Sequence, residues 1–220
     1  VTVFDVTSIT DGENAVNVLG QANFTSSTVA TTQASTSDPF SLSYDNINNR
    51  LFVVEAGSSR VTIFDVASIN DGEDAIDALG QYDDNVTAPN PVYTKSGANN
   101  SPNKFGLSGP ELGIVLDSTG NRLFISDTLN NRVLVYNLNA DDTLIDRIPD
   151  NVLGQPNFYT GTAATTQAGM NNPRGLAYDS TNNRLFVAQS GNNRGTIFDV
   201  TTITDGENAV NVLGQANFTS

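Results

Sequence analysis

The 220-residue chain has no cysteine, no histidine, no tryptophan, one methionine, and only ten basic residues against twenty-four acidic ones. Without cysteine or histidine there is no disulfide framework, no Cys/His zinc site, no thiol nucleophile and no imidazole acid–base scheme. A formal charge of −14 opposes polyphosphate backbones and anionic headgroups, which both need a positive surface, so neither nucleic-acid binding nor membrane insertion is expected. No apolar run approaches the roughly eighteen residues needed to cross a bilayer. What remains, 38% hydrophobic and 15% charged, is the composition of a globular chain able to bury a core. Its Asn-, Thr-, Ser- and Gly-rich, acidic, lysine-poor character points to an extracellular or cell-surface location.

The chain repeats itself. Residues 1–26, VTVFDVTSITDGENAVNVLGQANFTS, return at 195–220 with changes only at the positions of Val1, Val3 and Ser8. A more diverged copy runs from Val61 to Gln81, and another is recognisable in VLVYNLN at Val133 with NVLGQPNF at Asn151. The LGQ tripeptide begins at Leu19, Leu79, Leu153 and Leu213, so two 60-residue intervals flank one of 74. Most of the extra length lies between Gln81 and Leu123, and two further residues enter between Arg132 and Gly154.

Within a unit the apolar residues alternate with period two, and Asn/Asp/Gly turns separate the runs. In the last unit, GLAYD (175–179), RLFVAQ (184–189), TIFDV (196–200) and AVNVLGQ (209–215) read as four strands. Four short strands per repeat, with no helical apolar stripe, predict an all-β propeller of four-stranded blades, about three and a half in this chain. The expected division is 1–26 as the C-terminal half of a blade, 27–81 as a blade, 82–157 as a blade carrying an inserted loop at 82–110, and 158–220 as a blade.

NNRLFVAQSGNNRGTIFDV (182–200), GNRLFISDTLNNRVLVYNL (120–138) and NNRLFVVEAGSSRVTIFDV (48–66) resemble the NHL-repeat family of β-propellers. The resemblance covers nearly the whole chain and implies the fold; members serve as enzymes, as binders and as structural modules, so it leaves function open. Glu55 and Gln189 stand where the middle copy has Asp127, and Gly195 replaces a valine, so the blades need not be equivalent at that hairpin. The hydrolase and lyase activities of related propellers use histidines and metals, which this chain cannot supply residue by residue.

Arg50 and Arg60, Arg122 and Arg132, and Arg184 and Arg194 recur ten apart in each blade, and are expected to be structural, tying turn carbonyls and a neighbouring blade's carboxylate. The acidic turns offer Asp71, Glu73, Asp74, Asp205 and Glu207 as candidate ligands for calcium, the one cofactor considered; as plain solvated turns they need none. Sequons at Asn23, Asn85 and Asn217 are candidate glycosylation sites. The 82–110 loop gathers Tyr82, Tyr93, Phe105 and both lysines, Lys95 and Lys104, and four of the eight prolines; it reads equally as a binding loop or as a cap over a blade edge.

The expected function is a non-enzymatic extracellular repeat module for self-assembly or surface interaction, with no catalytic residue. Its partners would be other copies of itself, head to tail, or a surface protein or glycan. A propeller hydrolase or lyase with a carboxylate or calcium site, and a carbohydrate- or peptide-binding module acting through the 82–110 loop, are the alternatives.

Overall fold

The computed structural model describes every residue except 100, which falls inside the 82–110 loop. Fourteen strands form three four-stranded antiparallel sheets and one two-stranded sheet. Strands β1 (Thr2–Val3) and β2 (Asn17–Val18) are the outer half of a blade. Blade 1 is β3 (Pro39–Asp45), β4 (Arg50–Glu55), β5 (Arg60–Asp65) and β6 (Asp77–Leu79). Blade 2 is β7 (Ile114–Asp117), β8 (Arg122–Asp127), β9 (Arg132–Asn137) and β10 (Asn151–Leu153). Blade 3 is β11 (Pro173–Asp179), β12 (Arg184–Gln189), β13 (Arg194–Asp199) and β14 (Asn211–Leu213). The sheets run as simple meanders and the inner strands β3, β7 and β11 neighbour one another, the architecture of an open β-propeller arc.

Side chains alternate across each strand, so every blade has two apolar flanks and each seam between blades is a core. Leu19 of the half-blade meets Val53, Phe64 and Ala75 of blade 1. The opposite flank of blade 1, with Phe52, Val54, Ile63 and Leu79, packs on Ile114, Leu123, Ile125 and Leu134 of blade 2. Phe124, Val133 and Val135 then face Leu185, Val187 and Phe198 of blade 3.

The LGQ repeat has a physical reading. Its leucine is fully buried in the seam at Leu79 and Leu153. Its glycine holds a positive φ, +92° at Gly80 and +88° at Gly154, where a Cβ would stand 2.8 Å from Leu107 and 2.7 Å from Met170. Its glutamine donates to the turn between the second and third strands of its own blade, Gln81 to Ser58 and Ser59 carbonyls and Gln155 to that of Asn131.

Candidate active site

The six repeated arginines fall at two levels of the blades. At the turn between second and third strands, Arg60 and Arg132 are fully buried against Glu55 (3.0 Å) and Asp127 (2.7 Å). Their remaining nitrogens hold the incoming connectors: Arg60 donates to the carbonyls of Thr32, Ser35 and Tyr93, and Arg132 to those of Phe158 and Asn103. The carboxylate partner belongs to the arginine's own blade, not to a neighbour as the sequence suggested. Blade 3 differs as the sequence variation implied. Arg194 meets the neutral Gln189 Oε1 at 3.3 Å, and desolvation with no counter-charge lowers its pKa.

At the opposite end, Arg122 pairs with Asp117 at 2.6 Å and donates to the Val200 carbonyl of blade 3. Arg184 is exposed. Arg50, like Arg184, departs from the pattern: among the described residues it forms neither an ion pair nor a side-chain hydrogen bond. It lines a cleft of about 180 Å³ between blades 1 and 2. Phe52, Ile63, Ile76 and Leu144 make the apolar part of the lining, and Asp77, Asp142 and Thr143 the polar part.

Asp142 comes from the connection between β9 and β10, the segment lengthened by two residues. Leu138 and Leu144 bridge at its base, Asn139 N–H donates to the Thr143 carbonyl, and Asp142 sits at the tip with a φ of +59°. Aspartate tolerates that left-handed conformation better than most residues. The side of blade 1 anchors this hairpin. Asn48 donates to the Asp141 carbonyl, and Asp77 takes both Nε and Nη2 of Arg147, at 2.7 and 2.9 Å.

Asp142 is 1% exposed, and neither carboxylate oxygen has a hydrogen-bond partner. Desolvation raises its pKa above the ordinary carboxylate value, and the negative fields of Asp45, Asp117 and Asp141 add to this. The nearby Ser118 hydroxyl offsets part of the rise without reaching hydrogen-bond geometry. An uncommitted carboxyl of raised pKa and an uncommitted guanidinium thus share one cleft. Sequence reasoning passed over Asp142, Asp77 and Arg147. The signal available was the two-residue surplus, together with the loss in blade 2 of the DGEN or DGED turn found in the other copies.

The remaining predicted site residues are placed elsewhere. Asp71 accepts from Val18 N–H of the half-blade at 2.9 Å, and Asp205 from Val152 N–H of blade 2 at 3.0 Å, so both join neighbouring blades. Glu73 and Glu207 close their own turns through Asn70 and Thr204 N–H, each leaving one oxygen unpartnered. Asp74 lies next to Glu73 in the same turn. No group of three acidic side chains that could hold a metal ion forms among the described residues. In the long loop, Tyr82 is buried and donates to the Arg147 carbonyl, Lys95 donates to the Tyr82 carbonyl, Tyr93 gives its carbonyl to Arg60, and Lys104 lies 4.4 Å from the Phe158 ring centre. Phe105 is half-buried, its N–H held by Asn103. The loop thus seats Arg60 and Arg132, with Lys95 exposed and Tyr93, Lys104 and Phe105 half-buried. Asn23, Asn85 and Asn217 are exposed, each accepting from the threonine two residues on.

No family model and no curated protein matches this chain. Among solved structures it is similar to a periplasmic gluconolactonase of Pseudomonas aeruginosa. The two are 17% identical with a TM-score of 0.48, over 74% of this chain and 40% of that one. The chain therefore spans less than half the length of that protein. That protein is an enzyme, a finding at odds with the expectation of a non-enzymatic module serving assembly or surface interaction. No helix among the described residues is long and apolar enough to cross a membrane.

Proposed function

We propose that the chain is a hydrolase of small esters whose acid–base group is Asp142. The observation that carries this reading is the pairing, in one cleft, of the buried unpartnered Asp142 carboxyl with the unpartnered Arg50 guanidinium. In ester hydrolysis the Asp142 carboxylate takes a proton from the water attacking the carbonyl carbon. The carbonyl electron pair moves onto oxygen, where Arg50 offsets the developing charge. Collapse breaks the bond to the leaving oxygen, and Asp142 returns the proton to it. The apolar side of the cleft, Phe52, Ile63, Ile76 and Leu144, suits the carbon skeleton of a small substrate. The acidic, Asn- and Thr-rich, lysine-poor composition supports a location outside the cytoplasm, and the blade sequences support kinship with NHL propellers.

Hydrolysis of p-nitrophenyl acetate and of simple six-membered lactones tests the reading. Asp142→Asn is expected to lower kcat/KM by about 10²- to 10⁴-fold, and Arg50→Gln by about 10²- to 10³-fold. Because the base form is the active one and its pKa is raised, the rate should climb with pH through a midpoint above the usual carboxylate range. Unchanged rates in both variants, or no turnover of any ester by the parent chain, would overturn it.

A further inference from the structure

In blades 1, 2 and 3 the turn between first and second strands sets an aspartate opposite an arginine: Asp45 opposite Arg50, Asp117 opposite Arg122 and Asp179 opposite Arg184. One oxygen of each aspartate closes the turn in the same way. Asp45 Oδ1 accepts from the N–H groups of Ile47 and Asn48, Asp117 Oδ1 from those of Thr119 and Gly120, and Asp179 Oδ1 from those of Thr181 and Asn182. The second oxygen changes partner from blade to blade. In blade 2 Asp117 Oδ2 takes Nε and Nη2 of Arg122, at 2.9 and 2.6 Å. In blades 1 and 3 it takes a side-chain amide instead, from Asn48 at 2.8 Å and from Asn182 at 2.6 Å.

The choice follows the residue two before the arginine. It is Asn48 or Asn182 where the arginine is unpaired, and Gly120 where it is paired. None of the three holds a positive φ, so backbone conformation is not the reason. The reason is space: a Cβ at Gly120 would press on Asp117 Oδ2 and stand 2.8 Å from both Nε and Nη2 of Arg122. An asparagine there and an arginine on the aspartate therefore exclude each other. Asn48 uses its second amide hydrogen as well. Nδ2 also donates to the Asp141 carbonyl, in the hairpin of blade 2 and next to Asp142.

We infer that Asn48 is a positioning residue of the Arg50–Asp142 cleft: its amide occupies the Asp45 oxygen that would otherwise take Arg50, which leaves that guanidinium free to line the cleft, and its other N–H seats the hairpin that carries Asp142. The inference rests on the reading of Arg50 and Asp142 as the groups of the hydrolysis. Asn48 does not line the cleft and acts only through its neighbours. Captured by Asp45, Arg50 would have its charge offset and its donors turned into the turn, as those of Arg122 are by Asp117. Because Arg50 serves the developing oxyanion, the effect of Asn48 belongs in kcat more than in KM.

The test gives blade 1 the residue of blade 2, as Asn48→Gly in the full chain, checked for its fold by circular dichroism. Arg50 should then pair with Asp45. Its Nε–H resonance, assigned by its loss in Arg50→Gln, should exchange with water more slowly than in the parent. The kcat for p-nitrophenyl acetate should fall by about 10²-fold with KM nearly unchanged. Adding Asp45→Asn removes the carboxylate that captures Arg50 and should restore turnover by at least about tenfold. Gly120→Asn is the reverse exchange and needs no ester: it should release Arg122 from Asp117 and speed the exchange of the Arg122 Nε–H. Should the parent turn over no ester, the hydrolase reading fails by itself, and the two resonances still decide whether the asparagine governs its arginine. An Arg50 resonance that Asn48→Gly leaves unchanged, or a loss of turnover that Asp45→Asn does not relieve, would overturn the inference.

Discussion

Arg60 and Arg194 occupy the same place in two blades, yet only the first faces a carboxylate, and the difference has a measurable sign. Removing one partner from a buried ion pair leaves the other charge without compensation, a loss of about 3–5 kcal/mol. Glu55→Gln should therefore destabilise the chain by that order, read as the shift in a urea midpoint. Gln189→Glu does the reverse, supplying Arg194 with the counter-charge that blades 1 and 2 already contain. A gain of about 1–3 kcal/mol at neutral pH is expected. Among the described residues, Asp142 has no such counter-charge. Its pKa is raised in the folded chain, so its contribution is most favourable at low pH and is lost as pH rises through the folded value. Asp142→Asn keeps a residue tolerant of positive φ and removes the charge, so it should stabilise the chain at pH 7 by about 1 kcal/mol and flatten the change in melting temperature between pH 4 and 7. The arginine ladder was legible in the sequence because six of eight arginines repeat at fixed spacing. The identity of their partners was not, since Glu55, Asp127 and Gln189 are brought to them by hairpin geometry five residues away. Asp142 was hidden for a related reason: its burial comes from blade 1, far away in sequence.

The two segments that break the repeat act differently. The loop from Tyr82 to Pro110 reads, as a sequence, equally as a binding loop or a cap; in the structure Tyr82 is buried, Lys95 is exposed, and the carbonyls of Tyr93, Asn103 and Gly106 satisfy Arg60 and Arg132. Replacing residues 83–106 with a short glycine-serine linker strips those buried guanidinium groups of acceptors. The shortened chain should lose several kcal/mol, with thermal unfolding monitored at the β-sheet circular dichroism band. Survival of the parent melting temperature would show that these contacts are dispensable. The smaller surplus, two residues between β9 and β10, builds the hairpin that presents Asp142. An insertion of that size shows in an alignment of repeats, but where its tip lands depends on the inter-blade twist, which no single strand encodes. The strands themselves were readable, because alternation and Asn/Asp/Gly turns act over a few residues. Only their ends shifted, β11 beginning at Pro173 and β14 shortening to Asn211–Leu213.

As a whole, the molecule is an arc of wedges in which every complete seam is an apolar core and the first blade is present by half. This organisation follows from sequence alone, since four strands with two greasy flanks demand neighbours. It also sets where chemistry sits. The cleft lies in the seam where blade 2's enlarged hairpin meets blade 1, so the two groups of the proposed hydrolysis, Arg50 and Asp142, come from different blades across a seam tied by the Asp77–Arg147 pair. Loosening that seam should separate them. Arg147→Ala is expected to cost about 1–3 kcal/mol in stability and to reduce ester turnover even though Arg147 does not line the cleft. The account depends most on the protonation of one side chain. A carboxyl carbon-13 NMR titration of Asp142, assigned by comparison with Asp142→Asn, should show a midpoint above the ordinary aspartate range. A midpoint at or below that range would mean that water and partners reach this carboxylate, and would contradict the acid–base role assigned to it.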